Sequence, residues 1–307
     1  MGLFGGNYDK AGPGVDPNAP KKRGFFLYID IVWQKLGKFF QIGAVYSLLS
    51  LPLLVVLYLL SVFVFAQPIA SLQETALEVM QSNGIPEAEY AGQLGTITFM
   101  TASMACVFFV TMWGSGPLSA ALSFVMREFT RGKYVWIWSD GREKIKENMK
   151  QGFIVLALDL LVFILVPTAV IFYTNLARSE PSMNFAATLL AYLLILATLI
   201  YTMMHPYMFQ LMVTFDSKFS EIFKKSLLLA LGHFPINLLL TAISAALIVV
   251  PTAIFGVPGS MVVVVIGLTV GIAFLRYPME FYAARVIEKT FIKPMSKKVH
   301  IEYEEDE

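Results

Sequence analysis

The chain has 307 residues, 57% of them hydrophobic and only 15% charged, with a formal net charge of +1 and a mean hydropathy of +0.66. Soluble domains carry roughly 25% charged residues, so water is not the main solvent of this chain, and its balanced charge provides no basic module for nucleic acid. A single cysteine, Cys106, excludes an internal disulfide framework, and His205, His233 and His300 form no cluster with metal-ligand spacing.

The first 24 residues read as a flexible arm. They contain Gly12-Pro-Gly14 but no following helix that could cradle a phosphate, and the start MGLFGG lacks the Ser or Thr that N-myristoylation of Gly2 requires. The first apolar run begins only after about forty residues and is too long for a signal-peptide core, so it is expected to stay as a membrane span. Residues 25–293 form one membrane domain, and 294–307 a charged tail.

A bilayer core of about 30 Å needs roughly 20 mostly apolar helical residues. Six stretches meet that requirement: 41–66, 95–113, 153–175, 185–204, 236–255 and 260–275. Only Gly256-Val-Pro-Gly259 separates the last two, which leaves a re-entrant hairpin open as an alternative. Of the 23 Lys and Arg residues, all but Arg178 fall on one side of this arrangement, in the arm up to Lys38, the loop from Arg127 to Lys150, the segment from Asp216 to Lys225 and the tail from Arg276. Basic residues near span ends are retained in the cytoplasm, so both termini are expected there. The loop from Gln67 to Leu94 has no Lys or Arg and four glutamates, as an outside loop should; Leu72, Leu77 and Met80 at helical spacing predict a small acidic cap ending at Asn83-Gly84.

A loose pattern repeats three times. Each odd span contains a proline (Pro52, Pro167, Pro251) and is preceded by a stretch of helical period: Phe25, Ile29, Trp33, Leu36 and Phe40; Trp138, Ile145, Met149 and Phe153; Phe215, Phe219, Phe223 and Leu227. In the second of these, Asp140 is placed to cap the helix, with Glu143 three residues on. Each even span runs through a proline near its inner end, Pro117 (after Gly116), Pro206 and Pro278, and continues inward as a kinked helix longer than the bilayer is thick. The expected fold is an all-α polytopic membrane bundle of about six spans, built as three pseudo-repeated hairpins with amphipathic helices at the cytoplasmic surface.

Asp159 lies about two turns inside the third span, where an ionised carboxylate costs roughly 2.5–3.5 kcal/mol. It needs a partner or a proton. Depth along the helices places Arg276 and His205 at similar heights, and an Asp159–Arg276 pair is expected, either as a packing bond or as a substrate or proton site. Tyr134, Trp136 and Trp138 beside the inner surface suit an aromatic belt, with a sugar-stacking site as the alternative. No Walker loop, HExxH or nucleophile elbow occurs. No catalytic residue, metal or cofactor is assigned, and the chain is read as a non-enzyme.

The start Met1-Gly-Leu-Phe4, Gly12-Pro-Gly-Val15 with Pro20 and Phe25-Phe26, Gly116-Pro117, and Trp136-Ile-Trp-Ser-Asp140 leading to Lys146, Asn148 and Lys150-Gln151 resemble the YesL-like family of bacterial membrane proteins, over nearly the whole chain. Gly141 departs from the bulkier residue expected in relatives. The resemblance implies an accessory or regulatory component of a bacterial carbohydrate ABC uptake system in the plasma membrane. Its partners would be the lipid bilayer and the importer's permease or ATPase subunits, with Gly116, Pro117, Trp136, Trp138, Asp140, Pro206 and Pro278 as contact or kink positions. The alternative is a stand-alone transporter or channel for a small solute or ion, with Asp159 on its path.

Overall fold

The structure, a computed structural model, describes residues 24–294; the arm with Gly2 and Gly12-Pro-Gly14 and nearly all of the charged tail lie outside the described residues. Among those described there is no strand. Helix α1 (Gly24–Gln34) leads into α2 (Leu36–Val64), α3 (Ala66–Ser82), α4 (Tyr90–Met112) and α5 (Pro117–Thr130). Helix α6 (Ile137–Glu147) leads into α7 (Met149–Ser179) and α8 (Asn184–Met212), and α9 (Phe219–Gly232) leads into α10 (Phe234–Gly256), α11 (Pro258–Thr269) and α12 (Ile272–Ile292).

Five of these helices, α2, α4, α7, α8 and α10, are long and apolar enough to cross a bilayer, α4 together with the short turn before it. A sixth segment is the pair α11 and α12, bent by 66°. The protein is therefore an all-α polytopic bundle of five or six spans. Each span pair follows a short helix, α1, α6 or α9, as the threefold pattern predicts.

The acidic loop does form a helix, α3, which ends at Asn83 with Gly84 at φ +69 and is tied to α4 by Gln73 Nε2 donating to Thr98 Oγ1 at 3.0 Å. The chain reverses between α10 and α11 at Gly256, whose φ of +57 suits glycine. Beyond the turn a Cβ on Gly259 would sit 1.9 Å from the Pro251 carbonyl oxygen, so the two arms of this hairpin are in backbone contact.

The even spans are not built alike. Pro206 and Pro278 lie inside continuous helices, but Pro117 does not kink one: it is the first residue of α5, a helix separate from α4. Gly114 (φ +103) and Gly116 (φ +58) break the chain before it, in conformations that an L side chain resists. The expected single helix through Pro117 is thus corrected to two, with the proline at the N1 position where its missing N–H costs nothing. The break lets the start of α5 sit directly on α7. A Cβ on Gly116 would meet the Gly152 carbonyl oxygen at 2.8 Å, and one on Gly152 would meet Pro117 Cα at 2.7 Å.

Burial is uneven along the spans. Helix α8 buries every residue from Thr202 to Met212, but only Ala187 and Ala191 before that. Helix α7 buries Gly152, Val155, Asp159 and Phe163, then nothing until Ala177. The tight core thus lies at the end that carries the basic residues. Towards the other end the α7–α8 hairpin presents Phe172, Phe185 and Tyr192 outward, as lipid-facing helices do.

The Gly116–Gly152 contact is testable. Gly152→Val should lower thermal stability in detergent by about 1–3 kcal/mol, whereas Gly37→Ala, where a new methyl meets nothing, should not; equal midpoints for the two variants would show that α5 and α7 are not in close contact.

Candidate functional site

Asp159 is fully buried on α7, and its partners come from α8. Tyr201 Oη donates to Asp159 Oδ1 at 2.6 Å, and His205 Nε2 lies 3.0 Å from the same oxygen. Tyr201 and His205 share a face of α8 at i,i+4, with their rings edge to face at 4.9 Å. Trp113, the last residue before the α4 break, stacks over His205 at 6.3 Å and donates its indole N–H to Thr202 Oγ1 at 2.9 Å. The approach of His205 Nε2 is not an aligned hydrogen bond; Asp159 Oδ2 and both His205 ring nitrogens have no hydrogen-bond partner among the described residues.

A buried carboxylate in an apolar medium depends on the few polar groups within reach, and here both come from one face of α8. Its surroundings are one-sided. One turn further along α7, Phe163 packs against Phe65 at 5.9 Å, Phe109 at 5.3 Å and Trp113 at 6.5 Å, an aromatic plug that closes the side away from the basic end.

The expected Asp159–Arg276 pair does not form. Arg276, 2% exposed on α12, bonds Glu280 Oε1 through Nη2 at 3.1 Å, one turn along its own helix. The physical reason is local: an i,i+4 partner is in reach without any tertiary placement. Glu280 is held in turn by Ser123 Oγ at 2.6 Å from α5 and by Gln210 Nε2 at 2.7 Å from α8. The other guanidinium nitrogen, Nη1, stands against Gly114, where a Cβ would come within 2.4 Å of it, and has no partner among the described residues. The Phe209 ring separates the two clusters, 6.0 Å from the His205 ring and 5.7 Å from the guanidinium.

From Gln210 the polar contacts continue towards the basic end. Thr214 Oγ1 donates to the Gln210 carbonyl, Arg127 Nη1 donates to Thr214 Oγ1 at 2.5 Å and to the Val213 carbonyl at 2.9 Å, and Arg127 Nε bonds Glu128 at 3.1 Å. Glu128 also faces Arg131 and Lys133. Tyr201, Glu280, Gln210 and Ser123 were not singled out in the sequence, although two signals were present: Tyr201, His205 and Phe209 recur every fourth residue, and Glu280 follows Arg276 by four.

The other candidate positions are dispersed. Gly116 and Pro117 form the α4–α5 break, while Trp136 and Trp138 stand exposed on and beside α6. Asp140 is not the N-cap expected of it: the helix starts one turn earlier, at Ile137 after Trp136, and Asp140 Oδ2 reaches back from its first turn to accept the Trp136 N–H at 2.9 Å. Among the described residues no group of three or more His, Cys, Asp and Glu side chains is arranged to hold a metal ion. No known protein family, curated protein or solved structure matches the chain.

Removing one partner of a buried ion pair strands the other. Glu280→Gln should cost about 3–5 kcal/mol of stability, and Arg276→Met combined with Glu280→Met should recover most of that; a double variant no more stable than the single one would show that the pair is not what matters there. For Asp159→Asn and His205→Ala, a double-mutant cycle should give a coupling of about 0.5–3 kcal/mol, and strict additivity would remove the contact.

Proposed function

We propose that this protein is a non-enzymatic membrane component that acts by contact, as an accessory or regulatory subunit of a bacterial carbohydrate ABC uptake system, with its basic side in the cytoplasm. The observation that carries the contact reading is the one-sided construction. Among the described residues every buried charged group lies in the half of the molecule that bears the basic residues, the aromatic plug around Phe163 closes the other side, and the outward half of α7–α8 buries only Ala177, Ala187 and Ala191. A solute path needs polar lining from one surface to the other, and here such lining begins below the plug. The carbohydrate system itself comes from the residues that resemble the YesL-like family, chiefly Trp136-Ile-Trp-Ser-Asp140 and Gly116-Pro117.

A second reading, a stand-alone proton-coupled transporter, is favoured by one specific feature, the buried Asp159–His205 pair with its unpartnered Oδ2 and Nδ1. Intramembrane acid and imidazole groups are recurrent parts of proton relays.

Affinity purification of the tagged chain from native membranes distinguishes the two. Stoichiometric recovery of importer permease or ATPase subunits is the expected result, together with no solute or proton flux from the purified chain in liposomes. Absence of those subunits, combined with a flux that Asp159→Asn abolishes, would replace the first reading with the second.

A further inference from the structure

Two adjoining cavities at the basic end form a single graded groove. The more apolar one, about 200 Å³, lies between α2, α5 and α6 and is walled by Ile42, Val45, Leu49, Leu122, Val125 and Ile145, with Arg142 also in its lining. The other, about 320 Å³, is bordered by Lys38, Gln41, Trp136 and Ser139. Ile137 and Trp138 belong to both. Lys38, Gln41 or Ile42, Val45 and Leu49 follow one another at helical spacing on α2, so the groove runs about 16 Å from a cation to a wholly apolar end.

An apolar cavity of this kind gives water no partners and is filled by apolar groups or stays empty. Its cations have no acidic partner among the described residues. Arg142 makes no hydrogen bond or ion pair among the described residues, and Lys38 has only a long contact to Gln41 at 3.4 Å. Asp140, at the same end of α6, is already engaged by the Trp136 N–H and the Ser139 hydroxyl. Burial, reinforced by the nearby Lys38 charge, holds the Lys35 ammonium below its ordinary range.

The floor of the groove is Gly141. It is buried, yet a Cβ built on it meets nothing within 4 Å, because the space above it is the cavity. The small residue at the position that departs from the family resemblance is thus what leaves the groove open.

We propose that this groove binds an anionic glycerophospholipid from the leaflet on the basic side, with one acyl chain along α2 from Ile42 to Leu49 and the phosphate between Lys38 and Arg142. The direction of the gradient matches such a lipid in its resting orientation, headgroup at the surface and chain in the core. Trp138, at the junction of the two cavities, has an amphipathic ring suited to the headgroup level. The two cations that line the groove, Lys38 in one cavity and Arg142 in the other, attract an anionic headgroup over a zwitterionic one.

The test uses the full chain in phosphatidylcholine liposomes doped with either phosphatidylglycerol or phosphatidylcholine bearing a diazirine on one acyl chain, irradiated and mapped by peptide mass spectrometry. Adducts are expected on Val45, Leu49 and Leu122, about tenfold more abundant from phosphatidylglycerol. Lys38→Glu combined with Arg142→Glu should abolish that preference while chain adducts remain. Gly141→Leu should remove groove adducts from both lipids, and Gly141→Ala, adding a single methyl, should reduce them. Equal labelling by the two lipids in the unaltered chain, adducts spread evenly over α7, α8 and α10, or groove adducts that survive Gly141→Leu would each overturn the proposal, the first and second indicating annular lipid only.

Discussion

A guanidinium keeps its charge at any pH a cell experiences, so burying Arg276 obliges the surrounding helices to satisfy it. Glu280 supplies the counter-charge, but a carboxylate at 1% exposure needs hydrogen bonds of its own, and these come from Ser123 on α5 and Gln210 on α8. Three helices are thereby joined around one charge pair. The α4–α5 break belongs to the same arrangement: Arg276 Nη1 occupies the space that a side chain on Gly114 would need, so the glycine that lets the chain turn also lets the guanidinium in. Replacing such a pair with apolar side chains is often neutral or stabilising. Its consequence is specificity of arrangement more than net stability.

Around this centre the molecule is asymmetric along the membrane normal. At the basic end, α5, the last third of α8 and α12 pack as a protein interior does, with Met203, Tyr207, Met208, Phe209 and Leu211 almost wholly enclosed. At the opposite end the helices separate, and an apolar cleft of about 280 Å³ opens between α7 and α4 beside Phe65, Phe108 and Pro167. Lipid tails are as apolar as leucine, so no hydrophobic force draws the outer halves together. Close packing arises where small residues or polar bonds favour it: Gly116 on Gly152, Ser50 on Ser115 at 2.8 Å, Tyr46 on Ser119 at 2.7 Å. All three contacts sit at the basic end.

The helices are legible in the sequence because each is written locally. Twenty apolar residues must span, and Phe219, Phe223 and Leu227 must share a face whatever lies beside them. Span ends differed by several residues, since helices continue past the hydrocarbon edge; the third span begins at Met149, four residues earlier than hydropathy indicates. Asp159 stood out for the same local reason, a charge in an apolar run. Its partner did not. Depth counting could not separate His205 from Arg276, because equal height says nothing about which way a helix is rotated.

The sequence by itself therefore determined that this is a polytopic helical membrane protein, roughly where its spans lie and that its basic residues gather at one end of them, because these follow from transfer free energies counted residue by residue. Only the tertiary structure decided that Asp159 meets Tyr201 and His205, that Ser123 and Gln210 close on Glu280, and that Gly141 leaves a groove. Each of those outcomes depends on the rotation of one helix about its axis against another. Side-chain packing across the whole bundle sets that angle, and no single stretch of chain encodes it.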